Sequence, residues 1–214
     1  MRTVVEGCQR FSEFSRGNPL LVGVYAFGAV LEPGTDVPVV QMAFVLDRPA
    51  DELTWCAQPQ SCVGLPSLLE IDKAPVEWYW RPSVWPVANH VIRRPLRVWS
   101  LDDGPDTAAL DALDRGEAED LRMPAPTEAE WYEQLTAELA ASLAHLRRVE
   151  GGFWERDWRS AHRGLGIYPE NHLWDAVHGY LDLLGETQRG RDTTRSRTDA
   201  LQQRRDATPG GTDL

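Results

Sequence analysis

Aromatic and basic side chains gather in one stretch of the C-terminal third of the chain, where they could bind a ligand. The stretch contains Trp154, Trp158, Arg159, His162 and Arg163, and a loop with two glycines follows it. Aromatic rings beside guanidinium groups can hold an anion or stack on a base, and glycines ahead of a helix can cradle a phosphate. Core tryptophans whose neighbouring arginines bond acidic side chains give the same pattern, so both interpretations stay open.

Imidazole and carboxylate groups recur at helical spacing in the last predicted helix, at His172, Asp175, His178 and Asp182. Residues three and four apart lie on one side of a helix, and these ligand types suit Zn²⁺ or another divalent ion. The alternative is the polar, solvent-facing side of an amphipathic helix. The four residues are therefore candidate metal ligands, although no strong motif in the sequence requires a cofactor.

A second basic group lies between two tryptophans in the middle of the chain. It comprises His90, Arg93, Arg94 and Arg97, near Trp85 and Trp99. Such a group would suit an anionic ligand, but charges on proline-broken edge strands also discourage strands from pairing between molecules. The second interpretation is favoured here.

The motifs of the common enzyme classes are absent from the sequence. There is no Gly-x-Ser-x-Gly, no His-Glu-x-x-His and no Gly-x-Gly-x-x-Gly, which leaves hydrolases, metalloproteases and dehydrogenases unsupported. Cys8, Cys56 and Cys62 form no Cys-x-x-Cys pair, and we expect buried, reduced thiols, with a metal or redox pair as the alternative. These features favour a binding role over an enzymatic one.

The composition limits the partners and the compartment. The formal net charge of −11 argues against general affinity for nucleic acid or anionic membranes, because phosphate binding needs a cationic surface. No apolar stretch is long enough to cross a bilayer, and the N-terminal sequence lacks a secretion signal. We therefore predict a cytoplasmic protein, of bacterial type from its arginine-rich composition, with a protein partner or a small anionic ligand.

The N-terminal half is predicted to be an α/β sheet domain over residues 1–101. Helical spacing of apolar residues predicts a helix over 3–16, and two apolar runs, 20–30 and 39–46, predict buried strands joined by a turn at 32–36. Asp51 is a candidate N-cap for a helix that reaches Cys56. Further elements are predicted at 65–71 (helix) and at 76–81, 84–92 and 96–101 (strands).

The C-terminal half is predicted to be helical. Residues 102–126 form an acidic, solvated linker with one short helix, and Thr127 is a candidate capping-box residue for a helix that extends to residue 148. Two more helices follow, at 153–165 and 169–184, so residues 127–188 form a bundle packed on the sheet. Residues 189–214 are predicted to be a disordered tail, because they contain too few apolar residues to offset the entropy of ordering. The fold class is α+β, a small mixed sheet flanked by helices.

One segment carries a resemblance to a known family. After the first predicted strand the chain contains Ala26-Phe27-Gly28-Ala29, and Thr35-Asp36-Val37-Pro38 precedes the second strand. This resembles the nucleotidyltransferase superfamily of polymerase-beta-like fold, whose members carry Gly-Ser and then an Asp-x-Asp pair that holds Mg²⁺. Gly28 and Asp36 match the glycine and the first aspartate. Ala29 and Pro38 replace the serine and the second carboxylate, so the resemblance implies a degenerate, non-catalytic relative.

The sequence leads to one functional hypothesis and one alternative. We expect a non-catalytic binding or regulatory module on a degenerate nucleotidyltransferase-like scaffold, with Gly28 and Asp36 as candidate ligand-binding residues. The alternative is a small enzyme or ligand-binding protein that uses Trp158, Arg159, His162 and Arg163.

Overall fold

The computed structural model describes residues 1–14, 19–164 and 166–206, and residues 191–206 are described by their backbone alone. In this part of the chain, helices and strands alternate in the first half and helices make up the second half. The elements are α1 (Arg2–Phe14), β1 (Leu21–Phe27), β2 (Val40–Leu46), α2 (Leu65–Leu68), β3 (Val76–Pro82), β4 (Leu96–Ser100), β5 (Gly104–Pro105), α3 (Thr107–Asp114), α4 (Glu128–Gly152), α5 (Arg156–Ala161) and α6 (Pro169–Asp206).

The five strands form one mixed sheet in the order β3-β2-β1-β4-β5. β1 is antiparallel to both β2 and β4, whereas β2 and β3 are parallel. Gly28 ends β1 with a φ of +75°, a left-handed conformation that glycine adopts without a steric penalty. The predicted α+β class, with a small mixed sheet and a hairpin of β1 and β2, is confirmed.

Both faces of the sheet are buried, which explains why its strands are apolar runs without strict alternation. Val24 and Phe44 belong to a core cluster that also contains residues of α1, α2 and α3. Ala43 and Val45 point to the opposite face, where they join Leu135 of α4 and Leu183 of α6. The helical half of the chain therefore covers one face of the sheet.

Two predicted elements are wrong. The helix predicted to begin at Asp51 is a series of turns, and Cys56 has a φ of +62°, which cannot continue a right-handed helix. The strand predicted at 84–92 is also irregular. There, the Asn89 side chain accepts hydrogen bonds from the backbone N–H groups of Val91 and Ile92, so local turns replace strand pairing.

Residues 102–126 differ from the solvated linker that their acidic composition predicted. They form β5 and α3, and Asp106 caps α3 by accepting a hydrogen bond from the Ala109 N–H. Ala109 and Leu110 are buried in the same core cluster as α1. A short apolar stretch is sufficient to order this segment, because it packs against a core formed by other parts of the chain.

The helices α4 and α6 begin where the sequence predicted, whereas α5 begins three residues later than predicted. Thr127 forms a capping box with Glu130, and α4 continues to Gly152. α5 is shorter than predicted, and Leu165 lies outside the described residues. α6 begins at Pro169 and continues to Asp206, because Gly185 and Gly190 weaken a helix without stopping it.

The predicted tail from residue 189 falls on α6 as far as Asp206 and then on residues 207–214, which lie outside the described residues. Residues 15 and 16, at the end of the first predicted helix, also lie outside them. Among the helices described, none is both long and apolar enough to cross a membrane.

Candidate functional site

A cleft of about 340 Å³ opens between residues 51–61, the C-terminal part of α4, α5 and the first turns of α6. It brings together residues that the sequence assigned to separate sites. Trp158 and His162 come from the aromatic cluster, and His172 and Asp175 come from the four candidate metal ligands of the last helix, called the metal stripe below. His145 of α4 also lines the cleft. Nothing in the sequence singled out His145, because its place in the cleft depends on how α4 packs.

The aromatic wall of the cleft is closely packed. The rings of Trp158 and His162 stack with centroids 3.9 Å apart, and the His172 ring stands perpendicular to His162 at 5.1 Å. Gly152, at the end of α4, leaves room for Trp158, because a Cβ there would lie 2.6 Å from its ring. The rings are thus held between α4, α5 and α6.

The hydrogen bonds of the imidazoles fix where their protons lie. His162 Nδ1 is 2.8 Å from the backbone oxygen of Trp158. A carbonyl oxygen only accepts, so Nδ1 carries the proton and Nε2 of the neutral ring keeps a lone pair.

Burial keeps two of the imidazoles uncharged. It lowers the pKa of His145 to about 4, and the positive charge of Arg148 adds to the effect. It also lowers the pKa of His172, with His162 as the second cause. At neutral pH these rings are neutral, so they can exchange hydrogen bonds with a ligand without a net charge.

Two buried polar atoms in the cleft lack a hydrogen-bond partner within the described part of the chain. They are Nε2 of His172, a residue only 7% exposed, and Oε1 of Gln60. Nearly all buried polar groups in folded proteins are paired, and an unpaired one costs about 1–3 kcal/mol. Their presence in one cleft indicates that the partners come from outside the described part of the chain.

The charged groups of the cleft are predominantly acidic. Asp175 of α6 lines the cleft, and burial raises its pKa to about 6, against a smaller opposing effect of His178. Asp51 and Glu52 also line the cleft with Arg148. The Arg148 guanidinium lies 3.4 Å from the Asp51 carboxylate, so that carboxylate partly neutralises it.

The wall formed by residues 51–61 is tied to its surroundings. Trp55 Nε1 donates to the Asp182 carboxylate of α6 at 2.7 Å, and Trp80 Nε1 of β3 donates to Gln58 Oε1 at 2.7 Å. Both the sheet and α6 therefore hold this irregular segment in place.

The two arginines predicted to bind a ligand lie outside the cleft. Arg159 donates to Glu170 at 2.6 Å, and the Arg163 guanidinium lies over the Tyr168 ring at 5.8 Å. They line a separate shallow depression with Trp154. The predicted set thus divides between two sides of α5.

The predicted metal stripe also divides. His178 is exposed and stacks on Trp174 at 3.7 Å, and Asp182 bonds Trp55 and lies 3.0 Å from Nε2 of His90. At 3.6 residues per turn, the stripe from His172 to Asp182 covers about 120° of the helix. In the described residues, no group of three or more His, Cys, Asp or Glu side chains is arranged to hold a metal ion.

Gly28 and Asp36, the residues that carried the family resemblance, lie away from the cleft lining. Asp36 is exposed in the loop ahead of β2, whereas Asp47 follows the other end of that strand. β2 is seven residues long, about 20 Å, so the two carboxylates follow opposite ends of the strand. This placement argues against a metal ion shared by Asp36 and Asp47.

Acidic groups compensate the predicted basic group at residues 90–97. The pairs are His90 with Asp182, Arg93 with Glu186, Arg94 with Glu119, and Arg97 with Asp103. Trp99 is buried and donates to Gln9, and the Trp85 ring lies 5.9 Å from the Arg81 guanidinium. This arrangement is structural. The three cysteines are free thiols, Cys8 and Cys62 buried and Cys56 partly so.

Fold and site together define an α+β protein whose helical layer encloses a histidine-lined cleft. The chain belongs to the family described as Domain of unknown function (DUF7711), whose model matches residues 1–189. No match was found among curated proteins or among solved structures. All residues that line the cleft lie within the matched range.

Proposed function

We propose that the protein is a non-catalytic binding module that holds a small polar organic molecule in the cleft. The observation that carries the proposal is the pair of unpartnered polar atoms, His172 Nε2 and Gln60 Oε1, in the wall of the same cleft. A bound molecule with suitable polar groups would form the hydrogen bonds that the fold leaves unmade. The volume of about 340 Å³ lies in the range of small-molecule sites.

The scaffold in this proposal is a degenerate relative of the nucleotidyltransferases. Support comes from the order of helix α1, strand β1, the left-handed Gly28 and the antiparallel β2. The separation of Asp36 from Asp47 argues against metal-dependent nucleotidyl transfer on it. The functional cleft therefore lies in the helical layer.

A second candidate function, a small enzyme that uses the same cleft, is favoured by Asp175. A carboxyl group with a pKa of about 6 beside neutral imidazoles is suited to proton transfer near neutral pH. Mass spectrometry of a bound molecule after long incubation with the protein separates the two functions. Recovery of the unchanged molecule supports the binding module, and conversion supports the enzyme.

The experiment compares His172→Phe with His178→Phe in the full chain. The probes are benzamidine, benzamide and benzoate, which share one ring and differ in charge. With ¹⁵N-labelled histidine, the chain has five imidazoles to resolve. We expect at least one probe to raise the melting temperature of the wild type and to shift the His172 signals.

His172→Phe should abolish that response while raising the melting temperature of the free protein, because an unpaired buried nitrogen is removed. His178→Phe, an exposed position on the same helix, should change neither. The proposal is contradicted if millimolar concentrations of all three probes leave melting temperature and imidazole signals unchanged. A His172→Phe protein that binds like the wild type would contradict it equally.

A further inference from the structure

We infer that the cleft selects a small organic cation rich in N–H donors, of the amidine, guanidine or amine class. The inference rests on the proposed function and adds the sign of the ligand's charge and the direction of its hydrogen bonds. Two observations support the inference: neutral side chains of the cleft offer acceptor atoms, and carboxylates outnumber cationic groups in its lining.

Several neutral side chains of the cleft offer an acceptor atom. Gln60 Oε1 is an acceptor and is unpartnered within the described residues. The Nδ1–H of His162 donates to the backbone oxygen of Trp158, so in the neutral form of the ring Nε2 offers a lone pair. Burial keeps the His145 ring neutral, so one of its two ring nitrogens carries a lone pair. A ligand that satisfies these atoms must donate.

The charges of the cleft have the sign that favours such a donor. The carboxylates of Asp51, Glu52 and Asp175 outnumber the guanidinium of Arg148, and Arg148 already pairs with Asp51. No donor in the described part of the chain bonds the Asp175 carboxylate. A cationic N–H group would supply a charge-assisted bond there, and the acidic chain as a whole attracts cations.

Two other ligand classes fit less well. A metal ion needs three or more ligating side chains within reach, and the described residues bring together no such group. An anion would need the arginines in and just after α5, but Arg159 pairs with Glu170 and Arg163 lies against the Tyr168 ring, outside the cleft lining. An organic cation with one ring or a short chain remains.

The test uses the same three probes in buffer that contains EDTA. Benzamidine, benzamide and benzoate carry positive, zero and negative charge on one shape, so affinity differences report charge and donor number. We expect benzamidine to bind roughly tenfold or more tightly than benzamide and benzoate not to bind. Calorimetry measures affinity, and the ¹⁵N signals of His162 and His172 locate the probe.

Two substitutions should change the affinity for benzamidine in opposite directions. Asp175→Asn removes a carboxylate and should weaken binding roughly tenfold, whereas Gln60→Glu adds one and should strengthen it to a similar extent. Neither should change the affinity for benzamide by a comparable factor. A purely structural role of Asp175 and Gln60 would not separate the charged probe from the neutral one. Melting curves of both variants establish that they fold.

Each outcome decides one statement. Preference for benzamidine, with opposite effects of the two substitutions, supports the inference. Equal or tighter binding of benzamide or benzoate overturns it and leaves the proposed function standing. Absence of binding by all three probes overturns both.

Discussion

Arg81 and Glu138 form a two-pronged ion pair that is entirely buried between β3 and α4. The guanidinium donates to the two carboxylate oxygens at 2.9 and 2.5 Å, and the side chains are 0% and 1% exposed. Gln134 and Asn89 add further hydrogen bonds to Glu138, and the charge of Arg81 lowers the pKa of Glu138 against the cost of burial. This pair joins the helical layer to the sheet.

Breaking this pair from one side should strongly destabilise the fold. Glu138→Gln leaves the guanidinium of Arg81 buried without a compensating charge, and we expect a loss of about 3–5 kcal/mol in the free energy of unfolding. Urea denaturation measures the loss. The matched control is Glu70→Gln, which breaks the exposed pair with Arg10 and should cost less than about 1 kcal/mol. Similar losses in the two variants would contradict a special role for the buried pair.

A second close contact joins Gly179 of α6 to the backbone of Trp55. A Cβ at position 179 would lie 2.0 Å from the Trp55 carbonyl oxygen, and Trp55 itself is held by Asp182. Gly179→Ala should therefore destabilise the protein by about 2–3 kcal/mol, as overpacking does, and should disturb the segment 51–61 that forms one wall of the cleft.

Gly185→Ala is the control for that substitution on the same helix. Its new methyl group would meet nothing nearer than Arg189 Nη1 at 4.0 Å, so the higher helix propensity of alanine should stabilise the protein by up to about 1 kcal/mol. Thermal unfolding compares the two. Opposite signs are expected, and a Gly179→Ala protein as stable as the wild type would show that α6 does not need this close approach.

The sequence predicted elements where the signal is local. The capping box of Thr127 and Glu130 and the first-turn Pro169 placed the starts of α4 and α6, and the apolar runs placed β1 and β2. The signal failed where tertiary packing decides. Leu110 lies in an acidic stretch with few apolar neighbours and is nevertheless buried, because the core that covers it comes from other parts of the chain.

The candidate site shows the same limit. Sequence spacing identified Trp158, His162, His172 and Asp175 but assigned them to two sites, since nothing local indicates that α5 turns back against α6. Gln60 gave no signal at all, because an unpartnered amide oxygen is visible only when its surroundings are known. Residue chemistry could be predicted from the sequence, whereas the convergence of these residues could not.

The raised pKa of Asp175 gives a specific pH dependence of stability. The unfolded carboxyl group ionises near 3.8 and the folded one near 6, so between these values the folded state binds more protons and its stability falls as pH rises. Asp175→Asn removes this loss. The variant's advantage over the wild type should be absent below pH 3.8, grow up to about pH 6 and stay constant above it. Chemical denaturation across this range measures it, and a constant difference would contradict the shifted pKa.

His145 should give a pH dependence of stability opposite to that of Asp175. Its pKa falls from 6.5 to about 4 on folding, so between these values the unfolded state binds more protons, and the folded state loses stability as pH falls. His145→Gln removes that loss, and its advantage over the wild type should grow from pH 6.5 down to about 4. Opposite pH trends for the two variants are the expected result. Parallel trends would show that a group other than Asp175 or His145 dominates.

Nucleoside triphosphates with Mg²⁺ test the other region that the sequence singled out. Because Asp36 and Asp47 lie at opposite ends of β2, these two carboxylates do not form a pair that could hold the metal. We expect ATP or GTP with Mg²⁺ to leave the melting temperature unchanged relative to the nucleotide with EDTA. Asp36→Asn, an exposed substitution, should not alter this result. An Mg²⁺-dependent rise that disappears in Asp36→Asn, with transfer of labelled nucleotide to protein or RNA, would contradict the non-catalytic interpretation and move the functional site from the helical layer to the end of β1.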